Sequence, residues 1–168
     1  CLEPPSVDDD GSSSETSAIN AEVHVHTHTN KGERMQDLLE LFSGTQSIGK
    51  SFWARGWQVT SVDIDPKSLP RLCFDIMDIG VESLLEFGPV DLIWSSPPCT
   101  HDSCARTRTP RDLEGSDALV REVLDLVDQL CCCNLFENPH SGLLKGRPVI
   151  QGINNVVSDY CRYGTAYR

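Results

Sequence analysis

The chain has 168 residues, 39% of them hydrophobic, and a formal net charge of −11. That length fits one domain by the usual allowance of roughly 100–200 residues, and the apolar fraction suffices for one buried core. No stretch approaches the roughly 18 apolar residues of a membrane span and no charged-then-apolar leader precedes the domain, so a soluble, intracellular, monomeric protein with no membrane partner is expected.

The negative charge at first argues against a nucleic-acid partner, because phosphate contacts need lysine and arginine. Its distribution matters more than its sum. Residues 1–34 hold seven acids and two bases, leaving 18 and 12 in 35–168, and between Ser103 and Arg111 there are three arginines and no acid. Residues 1–34, with Pro-Pro, Asp8 to Asp10 and a Gly-Ser-Ser-Ser run, cannot bury enough apolar surface to offset their ordering entropy and read as a disordered acidic and polar tail. His24, His26 and His28 alternate within it and would share one side of an extended strand, but a solvated polar stretch is the simpler reading, so no metal site is expected. The eight cysteines show no zinc-type spacing and read as thiols in a reducing compartment. Cys131, Cys132 and Cys133, before Leu135 and Phe136, read as small core hydrophobes.

From Gln36 onward short apolar runs alternate with amphipathic segments. The spacing predicts a strand at 38–42, a helix at 46–55, strands at 58–63 and 72–76, a helix at 80–87 and a strand at 90–94. Leu119, Val120, Val123, Leu124, Val127 and Leu130 then recur at helical spacing after the acidic turn Glu114 to Asp117, and 132–136 reads as a buried strand. Such alternation predicts an α/β fold whose mostly parallel sheet carries helices on both faces, with ligands at the carboxyl ends of the strands.

Each strand end therefore carries a question of chemistry. The first opens into Leu-Phe-Ser-Gly44-Thr-Gln-Ser-Ile-Gly49, a glycine-bearing turn that either admits a ligand to the backbone or only serves the turn geometry. The second ends at Asp63, placed to accept from ribose hydroxyls, and the third at Asp75, whose carboxylate suits an adenine amine. Glu40, Asp63 and Asp75, three strand-end acids without an accompanying lysine or arginine, suit a nucleoside better than a phosphate-rich ligand, although a lone strand-end Asp is commonly a helix cap. The fourth strand runs into Ser95-Ser-Pro-Pro98-Cys99, where two prolines stiffen a loop that presents a thiol ahead of the arginine-bearing stretch, a setting that favours thiolate. The fifth ends in Phe136-Glu137-Asn138-Pro139, whose carboxyl either faces the same edge or caps a following helix.

Leu-Phe-Ser-Gly44, Asp63, Asp75-Ile76, Pro97-Pro98-Cys99 and Glu137-Asn138, in this order, resemble the cytosine-5 DNA methyltransferases, over about 36–168, and within them the small phage-like or virus-like members. The resemblance implies a Rossmann-like S-adenosylmethionine-dependent methyltransferase domain at 35–168. It assigns Phe42, Ser43, Gly44, Thr45, Asp63, Ile64, Asp75, Ile76 and Pro97 to S-adenosylmethionine, and Cys99, Glu137, Ser103 and Arg168 to catalysis. Cys99 would add to carbon 6 of a cytosine flipped out of double-stranded DNA, Glu137 would hold that base, and Ser103 with Arg106 or Arg108 would lie on the loop that closes over DNA. The family's glycine pair is here Gln46-Ser47, its Glu-Asn-Val is Glu-Asn-Pro, and its ribose-binding Glu is Asp63. Tyr163 to Arg168 resembles the start of the family's arginine-bearing motif, so the fold is expected to be incomplete at the C-terminus, before the target-recognition region. Competing readings are a tRNA cytosine-5 methyltransferase of the same family, a non-catalytic cofactor-binding relative, and an unrelated Rossmann-like domain. The phage-like motifs favour DNA, and retention of both Cys99 and Glu137 favours catalysis.

Overall fold

The computed structural model describes residues 34–159. Five strands form one sheet: β1 (Asp37–Leu41), β2 (Gln58–Asp63), β3 (Leu72–Cys73), β4 (Leu92–Ser95) and β5 (Cys133–Phe136). Their order is β3-β2-β1-β4-β5 and every pairing is parallel. Three helices connect them: α1 (Ser47–Trp53), α2 (Val81–Leu85) and α3 (Leu113–Leu130). The fold is α/β and Rossmann-like, as the alternation of periods predicts.

β1 occupies the centre and is apolar on both faces except at Glu40, as a strand flanked by helices requires. Leu39 and Leu41 point to one face, where they pack with Ile93, with Leu84 of α2 and with Val123 and Leu126 of α3. Each of these side chains is 2% exposed or less, and complete burial of such a side chain contributes about 1.5–3 kcal/mol. Leu38 and Glu40 point to the opposite face, where Glu40 Oε1 accepts from the Gly49 N–H of α1 at 3.1 Å. A Cβ on Gly49 would lie 2.4 Å from the Glu40 carboxyl, so glycine is what lets α1 approach the sheet this closely. Helices thus cover both faces.

Glu40 is 3% exposed, and burial pushes its carboxyl pKa above the ordinary value against the opposing pull of the Gly49 N–H and Lys50. A carboxyl whose folded pKa is raised binds its proton more tightly in the folded state, so its contribution to stability falls as pH rises from the ordinary carboxylate value to the raised one. Glu40→Gln keeps an acceptor for Gly49 and removes that slope. Urea unfolding of both proteins across this window should show the parent losing stability relative to the variant as pH rises; parallel profiles would exclude a raised Glu40 pKa.

Two expectations about strands are corrected. The third strand ends at Cys73, not at Asp75 or Ile76, because its partner β2 ends at Asp63, opposite Cys73, and the Asp75 carboxylate then turns the chain by accepting from the Met77 N–H at 3.0 Å. The strand expected as buried at 132–136 is, among the described residues, at the edge of the sheet with Cys133, Asn134 and Leu135 exposed, and Cys133 and Leu135 lie on the face that α1 covers at β1 and β2. Cys131 and Cys133 are accordingly exposed and not core residues. Cys131 closes α3 in a left-handed conformation and is exposed, and Cys132 alone of the three packs against the core.

Arg34, which composition places in the tail, pairs with Asp37 at 2.7 Å and Asp91 at 2.6 Å. No helix among the described residues is long and apolar enough to cross a membrane.

Candidate active site

Because all five strands are parallel, their carboxyl ends share one edge of the sheet. The order of the strands also reverses there: from β1 the chain steps outward to β2 and β3, then crosses back to β4 on the other side of β1. Open α/β sheets form their ligand crevice at such a switch point. Phe42 to Thr45, Asp63 with Ile64, and Asp75 with Ile76 follow the three strands of one half, and Pro97, Cys99 and Glu137 follow the two strands of the other.

The first half is a turn wound unusually tightly. Phe42, Gly44 and Gln46 all have left-handed backbone, at φ 56°, 46° and 56°. Such a φ strains a residue with a Cβ, and surrounding bonds must over-determine it. Here Ser43 N–H donates to Val62 O at 3.1 Å and Gln46 N–H to Ser43 O at 2.6 Å. The Gln46 amide donates to Ser68 O and Leu69 O, both at 2.7 Å, and Lys50 Nζ donates to Thr45 O at 2.8 Å. Gln46 therefore occupies a left-handed position, and its side-chain bonds offset that strain. Asp63 accepts from Gly44 N–H at 2.7 Å and from Asp65 N–H at 2.8 Å, one bond to each oxygen, which couples the ends of β1 and β2.

These residues suit a nucleoside-type cofactor. Each Asp63 oxygen keeps a further lone pair for a hydroxyl, and Ser43 Oγ is buried without a partner. Ile64 and Phe74 are 64% and 54% exposed beside Asp63 and Asp75, so apolar and acceptor groups adjoin. The Ile76 side chain lies in the core instead. Phe42 packs against the same core.

In the second half the proline pair stiffens the exit from β4. Pro97 is buried, and its carbonyl accepts from Asn138 Nδ2 at 3.4 Å. Glu137 N–H donates to Ser95 O at 2.9 Å, extending the β4–β5 ladder by one step and setting Glu137 beside the start of the Pro-Pro turn. Cys99 is a half-buried free thiol, and its carbonyl accepts from Asp102 N–H at 3.1 Å and Ser103 N–H at 2.8 Å. This tight turn leads into the arginine-bearing loop.

Arg111 holds that loop. Its guanidinium donates to His101 O at 2.6 Å, Ser103 O at 2.9 Å and Arg106 O at 2.7 Å, while Arg106 folds onto Pro110 O. His101 Nδ1 accepts from Asp112 N–H, and Asp112 in turn caps α3 by accepting from Gly115 N–H, both at 2.8 Å. Arg108 is exposed. Since a hydrogen bond to a charged group contributes about 1.5–3 kcal/mol, Arg111→Met should open the loop and raise tryptic cleavage after Arg106 and Arg108 by about tenfold or more. An unchanged cleavage rate would mean that the loop is held by something else.

Sequence reading missed three participants. Phe74 was seen only as part of a strand, Arg111 only as one charge in a basic stretch, and Asp102 not at all, since nothing in the sequence signals that it is 1% exposed. Arg168 and the His24, His26 and His28 trio lie outside the described residues. Among the described residues no group of three or more His, Cys, Asp or Glu side chains is arranged to hold a metal ion.

No protein-family model matches the chain. Over 140 residues it is 29% identical to a protein of Frog virus 3 (isolate Goorha) described as a probable DNA (cytosine-5)-methyltransferase, and the match covers 75% of this chain and 63% of that relative. The chain is thus similar, over less than two thirds of the relative's length, to a protein named as a methyltransferase.

Proposed function

We propose that this chain carries the S-adenosylmethionine site and the nucleophile of an enzyme that methylates carbon 5 of cytosine in DNA. The observation that carries this reading is the pairing of Cys99 and Glu137 on adjoining strand ends, across the switch point from the Phe42 to Gly44 turn and Asp63. The similarity to the viral protein supports the same reading.

When bound, S-adenosylmethionine supplies an electrophilic methyl group. Asp63 would hold its ribose, Asp75 and the Ile76 backbone its adenine, and the Gly44 turn its amino-acid end, with Phe42, Ser43, Thr45, Ile64 and Pro97 around it. The Cys99 thiolate adds to carbon 6 of a cytosine turned out of the duplex, forming a carbon–sulfur bond and making carbon 5 electron-rich. Glu137 pairs with the ring nitrogen and the exocyclic amine, which selects cytosine and stabilises the charge arriving on the ring. Carbon 5 would then bond to the methyl group, the donor being left as S-adenosylhomocysteine, and loss of the carbon 5 proton to water with breaking of the carbon 6–sulfur bond would restore the aromatic base and the free thiolate. Ser103 lies on the turn beside Cys99, and exposed Arg108 suits a DNA phosphate.

The test is to incubate the full-length protein with S-adenosylmethionine and a duplex containing 5-fluorocytosine. Fluorine at carbon 5 cannot leave as the proton does, so a protein–DNA adduct that survives denaturation is expected. Cofactor binding without an adduct would point to a non-catalytic relative, and an adduct formed only on transfer RNA would replace DNA as the substrate.

A further inference from the structure

We propose that Asp102 is the positioning residue that sets the Cys99 turn against the segment following Glu137. This rests on the catalytic reading above and extends it to a residue that touches neither base nor cofactor.

Asp102 is 1% exposed, and three parts of the chain meet on it. Its N–H closes the Cys99 turn by donating to Cys99 O at 3.1 Å. Its carbonyl accepts from Leu143 N–H at 2.9 Å, in the stretch that follows Glu137. Its carboxylate Oδ2 accepts a short hydrogen bond from Ser116 Oγ in the first turns of α3, where Ser116 is itself 7% exposed. The neighbouring Asp117 fastens the same region a second time, binding Arg147 through both oxygens at 3.0 and 2.5 Å. Gly142 allows the close approach: a Cβ there would lie 3.1 Å from Pro139 O and 3.5 Å from Asp102 O. The nucleophile turn, the start of α3 and residues 142–147 are thereby tied into one unit.

A purely structural role accounts poorly for this residue. Asp102 Oδ1 is buried without a hydrogen-bond partner, a condition that costs stability and that an apolar side chain would avoid. Retaining a carboxylate at that cost, three residues after the nucleophile, is what a positional requirement explains: displacement of a reacting group by about 1 Å can cost on the order of a hundredfold in rate.

The experiment compares Asp102→Ala, Asp102→Asn and Ser116→Ala with the parent, all as full-length protein, in the rate of adduct formation on 5-fluorocytosine DNA. Asp102→Ala and Ser116→Ala should slow the reaction at saturating cofactor and DNA by about tenfold or more, with the half-saturating concentrations unchanged within about twofold. Asp102→Asn retains an acceptor for the Ser116 hydroxyl and should recover most of the rate. Parent-like rates in the alanine variants, a loss confined to half-saturating concentrations, or an asparagine variant as slow as alanine would each overturn the proposal. Should Asp102→Ala fail to fold, Ser116→Ala, which removes one hydroxyl, decides alone. Alkylation of Cys99 relative to exposed Cys73 in the same molecule provides a readout that needs no activity. A severalfold change in that ratio in the variants supports positioning even if the parent forms no adduct and the catalytic reading fails, and an unchanged ratio overturns it.

Discussion

Replacing Cys99 by alanine is expected to abolish the denaturation-resistant adduct and to lower methyl transfer by at least about a thousandfold, with cofactor affinity and unfolding midpoint unchanged. The expectation of an intact fold follows from how the turn is built. Cys99 holds it through its carbonyl, which accepts from Asp102 and Ser103, and alanine keeps that carbonyl. Only the sulfur is lost, and with it the atom proposed to bond to carbon 6. Denaturing electrophoresis of the trapped complex and calorimetric titration of the cofactor measure the two halves of the claim separately. An adduct that persists in the variant would transfer the nucleophile's role elsewhere, with Cys104 on the same loop the first residue to examine.

Glu137→Gln is expected to lower the turnover rate by about a hundredfold to a thousandfold, or about 2.7–4 kcal/mol of transition-state stabilisation, with little change in the DNA concentration that half-saturates the enzyme. The amide oxygen can still accept from the exocyclic amine of cytosine, and the amide nitrogen can still donate to the ring nitrogen, so ground-state recognition survives. A carboxyl group can also pass a proton to that nitrogen as charge moves onto the ring, and an amide cannot. The strand end itself should be unaffected, because Glu137 is held there by its backbone N–H to Ser95 O. Glu137→Ala, which loses both contacts, should impair binding and turnover together. If glutamine weakened binding and left the maximal rate intact, Glu137 would select the base without assisting the chemistry.

The order of elements was legible because the hydrophobic period changes along the chain. Leu38 to Leu41 is a short apolar run broken by a single acid, whereas Leu119, Val120, Val123, Leu124 and Val127 follow a helical period over a longer stretch. Strand limits were less legible where a partner strand decides them. Leu72 to Ile76 reads as a strand from its composition, yet the ladder lasts only while β2 runs beside it, and Asp75 then bonds its own turn. Burial of Cys131 and Cys133 was misjudged, because an apolar run does not disclose whether a helix will cover it, and Cys133 lies on the face where α1 packs on β1 and β2.

The groups proposed for the chemistry were selected from their positions at strand ends together with the motif resemblance. Asp63, Cys99 and Glu137 each stand just past an apolar run, and a parallel sheet carries all such ends to one edge. The amino-acid sequence by itself determined the α/β class, the order of the elements and the residue types that follow each apolar run, since those follow from local periodicity and from the rule that parallel strands share a direction. Only the tertiary structure decided how those groups are held: that Asp63 ties down the Gly44 turn, that Arg111 folds its own loop through three carbonyls, and that Asp102 is buried where three segments meet. Those bonds join residues whose proximity depends on the closed packing of strands, helices and loops, and a polar side chain carries no mark in sequence that distinguishes a buried hydrogen-bonded position from a solvated one.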